Sequence, residues 1–124
     1  MKRGMAFLWG AMLVVSCASP PAGPGSATRV LELEPLSQEI VWVYEGDPAE
    51  SFFSMRRGSN QRLPNGNTLI CESEKGHVFE VDAVGERVWE FWNPEIRDDR
   101  RKRIYRFMRV SEEEVRDLFR ARNP

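Results

Sequence analysis

The feature that most constrains this chain is the stretch Arg62–Pro94, RLPNGNTLICESEKGHVFEVDAVGERVWEFWNP, in which three apolar-rich runs are separated by tight turn signals. Leu63-Pro64-Asn65-Gly66 opens it. Proline pre-sets φ for the first turn position, asparagine tolerates the second and glycine accepts positive φ, the pattern of a three-residue hairpin loop with a bulge glycine. Ser73-Glu74-Lys75-Gly76 and Asp82-Ala83-Val84-Gly85 are the next two turns. They delimit strands at Thr68–Glu72, His77–Asp82 and Arg87–Trp92. Connections this short join antiparallel neighbours only, so the stretch predicts an antiparallel meander.

An earlier part of the chain repeats half of this pattern. Val30-Leu31-Glu32-Leu33-Glu34 matches Val78-Phe79-Glu80-Val81-Asp82 at a spacing of 48 residues, and Val41-Trp42-Val43-Tyr44 matches Val88-Trp89-Glu90-Phe91 at 47. The earlier turn is one residue longer and lacks the glycine. A period of this size suits a unit of four strands, as in a propeller blade. Ile40–Tyr44 and Leu69–Cys71 are apolar at consecutive positions, which predicts strands covered on both faces, with Trp42 and Trp89 as core residues. A small β-sandwich has the same burial logic, and the repeat favours blades. The fold class is therefore mainly β, an antiparallel meander of about seven strands forming one to two propeller blades, with a short C-terminal helix.

The remaining segments are read more simply. Gly46–Asn60 is a loop, with Phe52 and Phe53 as core beneath it, and a short strand lies near Gln61–Leu63. Glu95–Arg103 is a charged loop, and Ile104–Val110 alternates apolar and basic residues as a strand does. Ser111-Glu112-Glu113-Glu114 is a helix start with a reciprocal serine–glutamate cap. Val115, Leu118 and Phe119 then form an apolar stripe at helical spacing, expected to pack against the last strands.

The N-terminus reads as a targeting segment. Lys2 and Arg3 precede the apolar run Met5–Val15, which is shorter than the roughly 20 residues a spanning helix needs. Val14-Val15-Ser16-Cys17 resembles a bacterial lipobox, with Cys17 as the lipidated first residue of the exported protein. Residues 1–16 are thus expected to be a signal peptide, 17–28 a disordered Pro/Gly/Ser/Ala-rich tether and 29–124 the folded domain. The net charge of −1 argues against a nucleic-acid partner. Cys71 has no Cys or His at ligand spacing, so no metal site is expected. No phosphate-binding loop or other cofactor motif is present.

The repeat resembles that of bacterial β-propellers, in particular the aryl-sulfotransferase family. The resemblance rests on Leu63-Pro64-Asn65-Gly66-Asn67-Thr68-Leu69, on Gly76 to Asp82, and on Gly85-Glu86 with Val88-Trp89-Glu90. The Asp82-x-x-Gly85-x-x-x-Trp89 spacing is also similar to the tryptophan-docking repeat of quinoprotein-type propellers. It implies sulfuryl transfer between phenols, with a channel histidine as covalent acceptor and an arginine holding the sulfate oxygens. His77, the single histidine, is the one candidate acceptor. It opens a strand where the earlier half-repeat has Arg29, which points to a solvated position. The family's histidine shortly before the Leu-Pro-Asn-Gly-Asn motif is missing from Arg56–Gln61. Arg56, Arg57 and Arg62 remain as candidate anion ligands, against a reading as solvated loop arginines.

The resulting expectation is a lipid-anchored module of the bacterial cell envelope, non-catalytic, with a binding or scaffold role and no cofactor. Its partners would be the membrane, through the anchor, and a second copy or another propeller fragment that covers its open strand edges. The alternatives are an aryl sulfotransferase active only within a larger ring, and a truncated remnant of a longer propeller gene.

Overall fold

The computed structural model describes residues 26–122. The targeting segment, Cys17 and most of the tether lie outside the described residues. The chain gathers into two compact units that divide between Arg56 and Arg57. The protein is mainly β, with eight strands in antiparallel sheets and one helix among the described residues.

The first unit holds a two-stranded sheet of β1 (Arg29–Leu33) and β2 (Ile40–Glu45). The Glu34 carboxylate caps the intervening turn, accepting the backbone N–H groups of Leu36 and Ser37 at 2.7 and 2.6 Å. Phe52 is buried with its ring edge-on to Tyr44, as expected of a core residue. The Thr28 N–H donates to the Phe52 carbonyl, and the Thr28 hydroxyl accepts from Ser54 N–H. These bonds close the loop back onto the start of β1.

The second unit is built on a four-stranded meander, β3 (Gly58–Arg62), β4 (Thr68–Glu72), β5 (His77–Val81) and β6 (Arg87–Trp92), in that spatial order. β4 and β5, the two inner strands, are buried along their whole length. Here consecutive apolarity marks two covered faces, as the sequence predicts. The same inference fails for β2 and β6. Ile40, Val41 and Val43 are exposed, Trp42 is only half-buried and Trp89 is 38% exposed. Among the described residues each of these strands has a ladder partner on one side only, so apolar composition there is not matched by cover.

The two halves share more than sequence. β5 pairs with β6 through a register shift between Glu80 and Val81, and β1 pairs with β2 through a shift between Glu32 and Leu33. The irregularities fall 48 residues apart, at matching repeat positions, so β1–β2 corresponds to β5–β6. Among the described residues no pair equivalent to β3–β4 adjoins β1 in its sheet.

After β6 the chain makes a hairpin of β7 (Ile96–Arg97) and β8 (Arg100–Arg101) where the sequence predicts an irregular charged loop. Asp98 and Asp99 both adopt positive φ, the geometry of a two-residue hairpin turn that aspartate tolerates. Residues 104–110, expected as a strand, do not enter a backbone ladder. They lie across one face of the meander. Ser59 Oγ accepts from Phe107 N–H and donates to its carbonyl, and Gln61 does the same for Arg109 through its side-chain amide. Two side chains of β3 thus replace the backbone of a neighbouring strand. Phe107 and Ile104 pack on the core of Leu63, Leu69, Cys71 and Val78.

The helix α1 (Glu112–Arg122) begins with the expected reciprocal cap: Ser111 N–H donates to Glu114 Oε2 at 2.7 Å, and Glu114 N–H to Ser111 Oγ at 3.2 Å. Its apolar stripe is not packed as expected. No residue of the helix is buried, and Leu118 and Phe119 are 70% and 63% exposed. The cap stabilises the helix start locally, which does not require a tertiary partner.

Gly76 ends the turn after β4 with φ +63°, and a Cβ built there would lie 2.2 Å from the Lys102 carbonyl oxygen. Gly66 has φ +89° but open space around it. Gly66→Ala is therefore expected to cost only the roughly 1–2 kcal/mol of a left-handed L-residue. Gly76→Ala should cost more, because the chain at Lys102 must also shift. Urea melts of the two variants check this, and equal losses would show that the approach of Lys102 is not structural.

Candidate functional site

Alternation along β5 sends His77, Phe79 and Val81 to one face of the meander and Val78 and Glu80 to the other. Each face carries one buried polar constellation.

The first centres on His77, which is 2% exposed. This corrects the expectation of a solvated position. The ladder places Glu72, His77 and Trp92 in one cross-strand row, because His77 pairs with both Glu72 and Trp92. Nδ1 lies 3.3 Å from Glu72 Oε2 and Nε2 lies 3.1 Å from Glu90 Oε2. The Trp92 ring stacks on the imidazole at 3.8 Å between centroids and 11° between planes. Glu72 is itself buried and is bridged at 2.5 Å by Lys75 from the following turn. The hydrogen bond from His77 holds the Glu90 carboxyl below its ordinary value. Each ring nitrogen of the imidazole thus has a carboxylate oxygen within hydrogen-bonding distance.

The second constellation explains the Leu-Pro-Asn-Gly-Asn motif. Asn65 Oδ1 accepts Asn67 N–H at 3.0 Å within the turn. Asn67 Nδ2 then donates to Glu80 Oε1 at 2.7 Å, with Asn65 Nδ2 at 3.5 Å from the same oxygen. Arg109 Nη1 reaches Glu80 Oε2 at 2.5 Å, and its guanidinium lies over the Trp89 ring. Burial raises the Glu80 pKa, but the donors Asn67, Arg109 and Asn65 outweigh it and hold the carboxyl below its ordinary value. Trp89, expected in a sheet–sheet core, is instead covered in part by Phe107 and Arg109.

Arg57 sits over the Tyr105 ring at 5.5 Å, and Arg62 Nη1 donates to the Gly66 carbonyl at 2.8 Å. Arg56 is exposed and belongs to the first unit. Cys71 is buried, its Sγ 3.5 Å from the Ile104 carbonyl, and burial pushes the thiol pKa up. Among the described residues no cluster of potential ligands could hold a metal ion, and no helix is long and apolar enough to cross a membrane.

A family model described as Arylsulfotransferase (ASST) matches residues 23–94, more than half of the chain. The chain belongs to the arylsulfotransferase family. The matched span runs from before β1 to just past β6, so it takes in the half-repeat and the whole meander. The β7–β8 hairpin, residues 104–110 and α1 follow it. No curated protein and no solved structure matches the chain.

The Glu72, Glu90 and Trp92 shell of His77 and the role of Glu80 are not read from the sequence. The ladder register that joins them depends on the bulge between Glu80 and Val81. The one available signal was the alternation of β5, which puts His77 on the face of Phe79.

The folded-state pKa of Glu80 lies below its unfolded value, so the ionised carboxylate stabilises the fold above that ordinary value of 4.5. This contribution is lost as the pH falls through the folded-state pKa. Glu80→Gln should therefore be destabilised at neutral pH by about 1–3 kcal/mol, the range for orphaned buried donors. Its stability should also fall less steeply than the wild type's as the pH drops below 4.5. Denaturant melts across that range check both parts.

Proposed function

We propose that this member of the arylsulfotransferase family is a non-catalytic, lipid-anchored module of the bacterial cell envelope, built as one propeller blade and the second half of another. The setting of His77 carries the reading. It is the chain's single histidine, and a sulfuryl acceptor needs an imidazole lone pair aimed at the sulfur of a bound ester. Here both nitrogens face carboxylates and the ring is stacked on Trp92. Two carboxylates beside the nucleophile would also repel an incoming sulfate ester.

A role in association follows from the half-repeat. β1–β2 corresponds to β5–β6 but, among the described residues, has no counterpart of β3–β4 in its sheet. Val41 and Val88, at matching positions, are both exposed. A second copy, or another propeller fragment, would bury these residues as neighbouring blades do. The anchor is assigned to Cys17 by its lipobox-like surroundings.

Two experiments test the reading. Offered an aryl sulfate and a phenol acceptor, the full chain should transfer no sulfuryl group above background, and His77→Gln should lower the melting temperature. Transfer that disappears in a folded His77→Gln variant would sink it and favour the enzyme. Labelled palmitate should enter the wild type and not Cys17→Ser, and the detergent-free Cys17→Ser chain should sediment as an assembly at micromolar concentration. Labelling of both chains ends the anchor, and a cooperatively melting monomer ends the association.

A further inference from the structure

We infer that the β7–β8 hairpin builds an electropositive groove that takes the phosphate headgroups of an anionic lipid surface. The groove is open and shallow, with a volume of about 780 Å³. Lys75, Arg97, Arg100, Arg101, Lys102 and Arg103 line it, and only Glu74 and Asp98 oppose them. All of these residues belong to the second unit.

Not all six charges are available. Lys75 is bridged to Glu72 at 2.5 Å, Lys102 to Glu95 at 2.7 Å, and Arg97 faces the same Glu95 at 3.6 Å. Arg101 donates to the Asn93 carbonyl and lies over the Trp92 ring, so its contacts leave its charge uncompensated. Arg100 and Arg103 line the groove, and among the described residues neither forms an ion pair. Arg100 on the hairpin and Arg103 just after it are therefore exposed beside the half-buried Arg101, held in place by the turn at Asp98 and Asp99 and by the Asn93 Nδ2 bond to the Lys102 carbonyl.

The form of the groove selects the ligand. It encloses too little for a free oxyanion, which is held by buried, converging donors. An extended anionic surface needs only a cluster of exposed cations within a Debye length, with aromatic and aliphatic groups at the headgroup level. Trp92 at 42% exposure and the exposed Ile96 supply those beside the arginines. Single-stranded nucleic acid would need an aromatic face on which to stack a base, and the Trp92 face is taken by His77. The hairpin follows residue 94, where the family match ends. The inference is independent of acylation at Cys17.

The test uses the full Cys17→Ser chain, so that no acyl chain contributes, with vesicles of phosphatidylcholine alone or with added phosphatidylglycerol. Comparing the two vesicles cancels any partitioning of the N-terminal apolar run. Binding should be stronger to the anionic vesicles and weaken with salt. Arg100→Gln/Arg103→Gln, which leaves the Arg101 contacts in place, should bind the anionic vesicles about 30-fold more weakly, from about 1 kcal/mol per basic residue. Arg100→Lys/Arg103→Lys should retain binding. Equal binding to both vesicles, or undiminished binding by the folded double glutamine variant, overturns the inference. Displacement by inorganic phosphate at constant ionic strength assigns the groove to a soluble oxyanion instead. Displacement by single-stranded DNA at matched charge and ionic strength assigns it to nucleic acid. Either result overturns the lipid assignment.

Discussion

The Glu80 carboxylate lies almost wholly out of water near the middle of the four-stranded sheet, and the second unit is arranged to compensate it. An unpaired charge at that depth would be strongly destabilising. Its partners come from two separate places: Asn65 and Asn67 in the turn between β3 and β4, and Arg109 in the segment that crosses the sheet. One buried carboxylate thereby fixes the shape of a hairpin loop and the position of a covering layer. Arg109 adds the cover over Trp89, and its backbone is held by the side chain of Gln61. The motif that identifies the repeat in the sequence is therefore a set of ligands for a carboxylate elsewhere in the same repeat. Its proline and glycine shape the turn, while its asparagines hold Glu80.

The internal repeat sets what the sheets leave open. A register shift at matching positions in β1–β2 and β5–β6 shows that the two pairs share a local geometry. In the second pair, β5 has β4 on its other side and is buried throughout. In the first, β1 has no further strand in its sheet among the described residues. The difference is one of supply: among the described residues the same strand pattern occurs twice, and the pair of strands that completes it occurs once.

Much of the fold was legible because it is encoded locally. Thr68–Glu72 and Arg87–Trp92 are bounded by turn residues whose φ preferences are nearly independent of context, and their limits agree with the structure. The Ser111–Glu114 cap is likewise a contact between residues three apart. What was not legible depends on partners distant in sequence. Consecutive apolar residues describe β2 and β4 equally well, yet only β4 has strands on both sides. The alternation of Ile104–Val110 is real, but Ser59 and Gln61 offer it side chains in place of a free strand edge. His77 aligns with Arg29 in the repeat, which hides its burial, because its neighbours Glu72 and Trp92 arrive by strand register.

Trp92 links the buried histidine to the basic hairpin. One contact of its ring is the His77 imidazole, and the Arg101 guanidinium lies 5.3 Å from its centroid. Arg101 also donates to the carbonyl of Asn93, the residue that turns the chain out of β6. The packing that engages both histidine nitrogens thus also fixes the base of the groove. Displacing His77 would break its carboxylate contacts and unstack Trp92 together, leaving the buried Glu72 without its imidazole partner. This rigidity suits a support for the hairpin, whose arginines need only be presented to solvent.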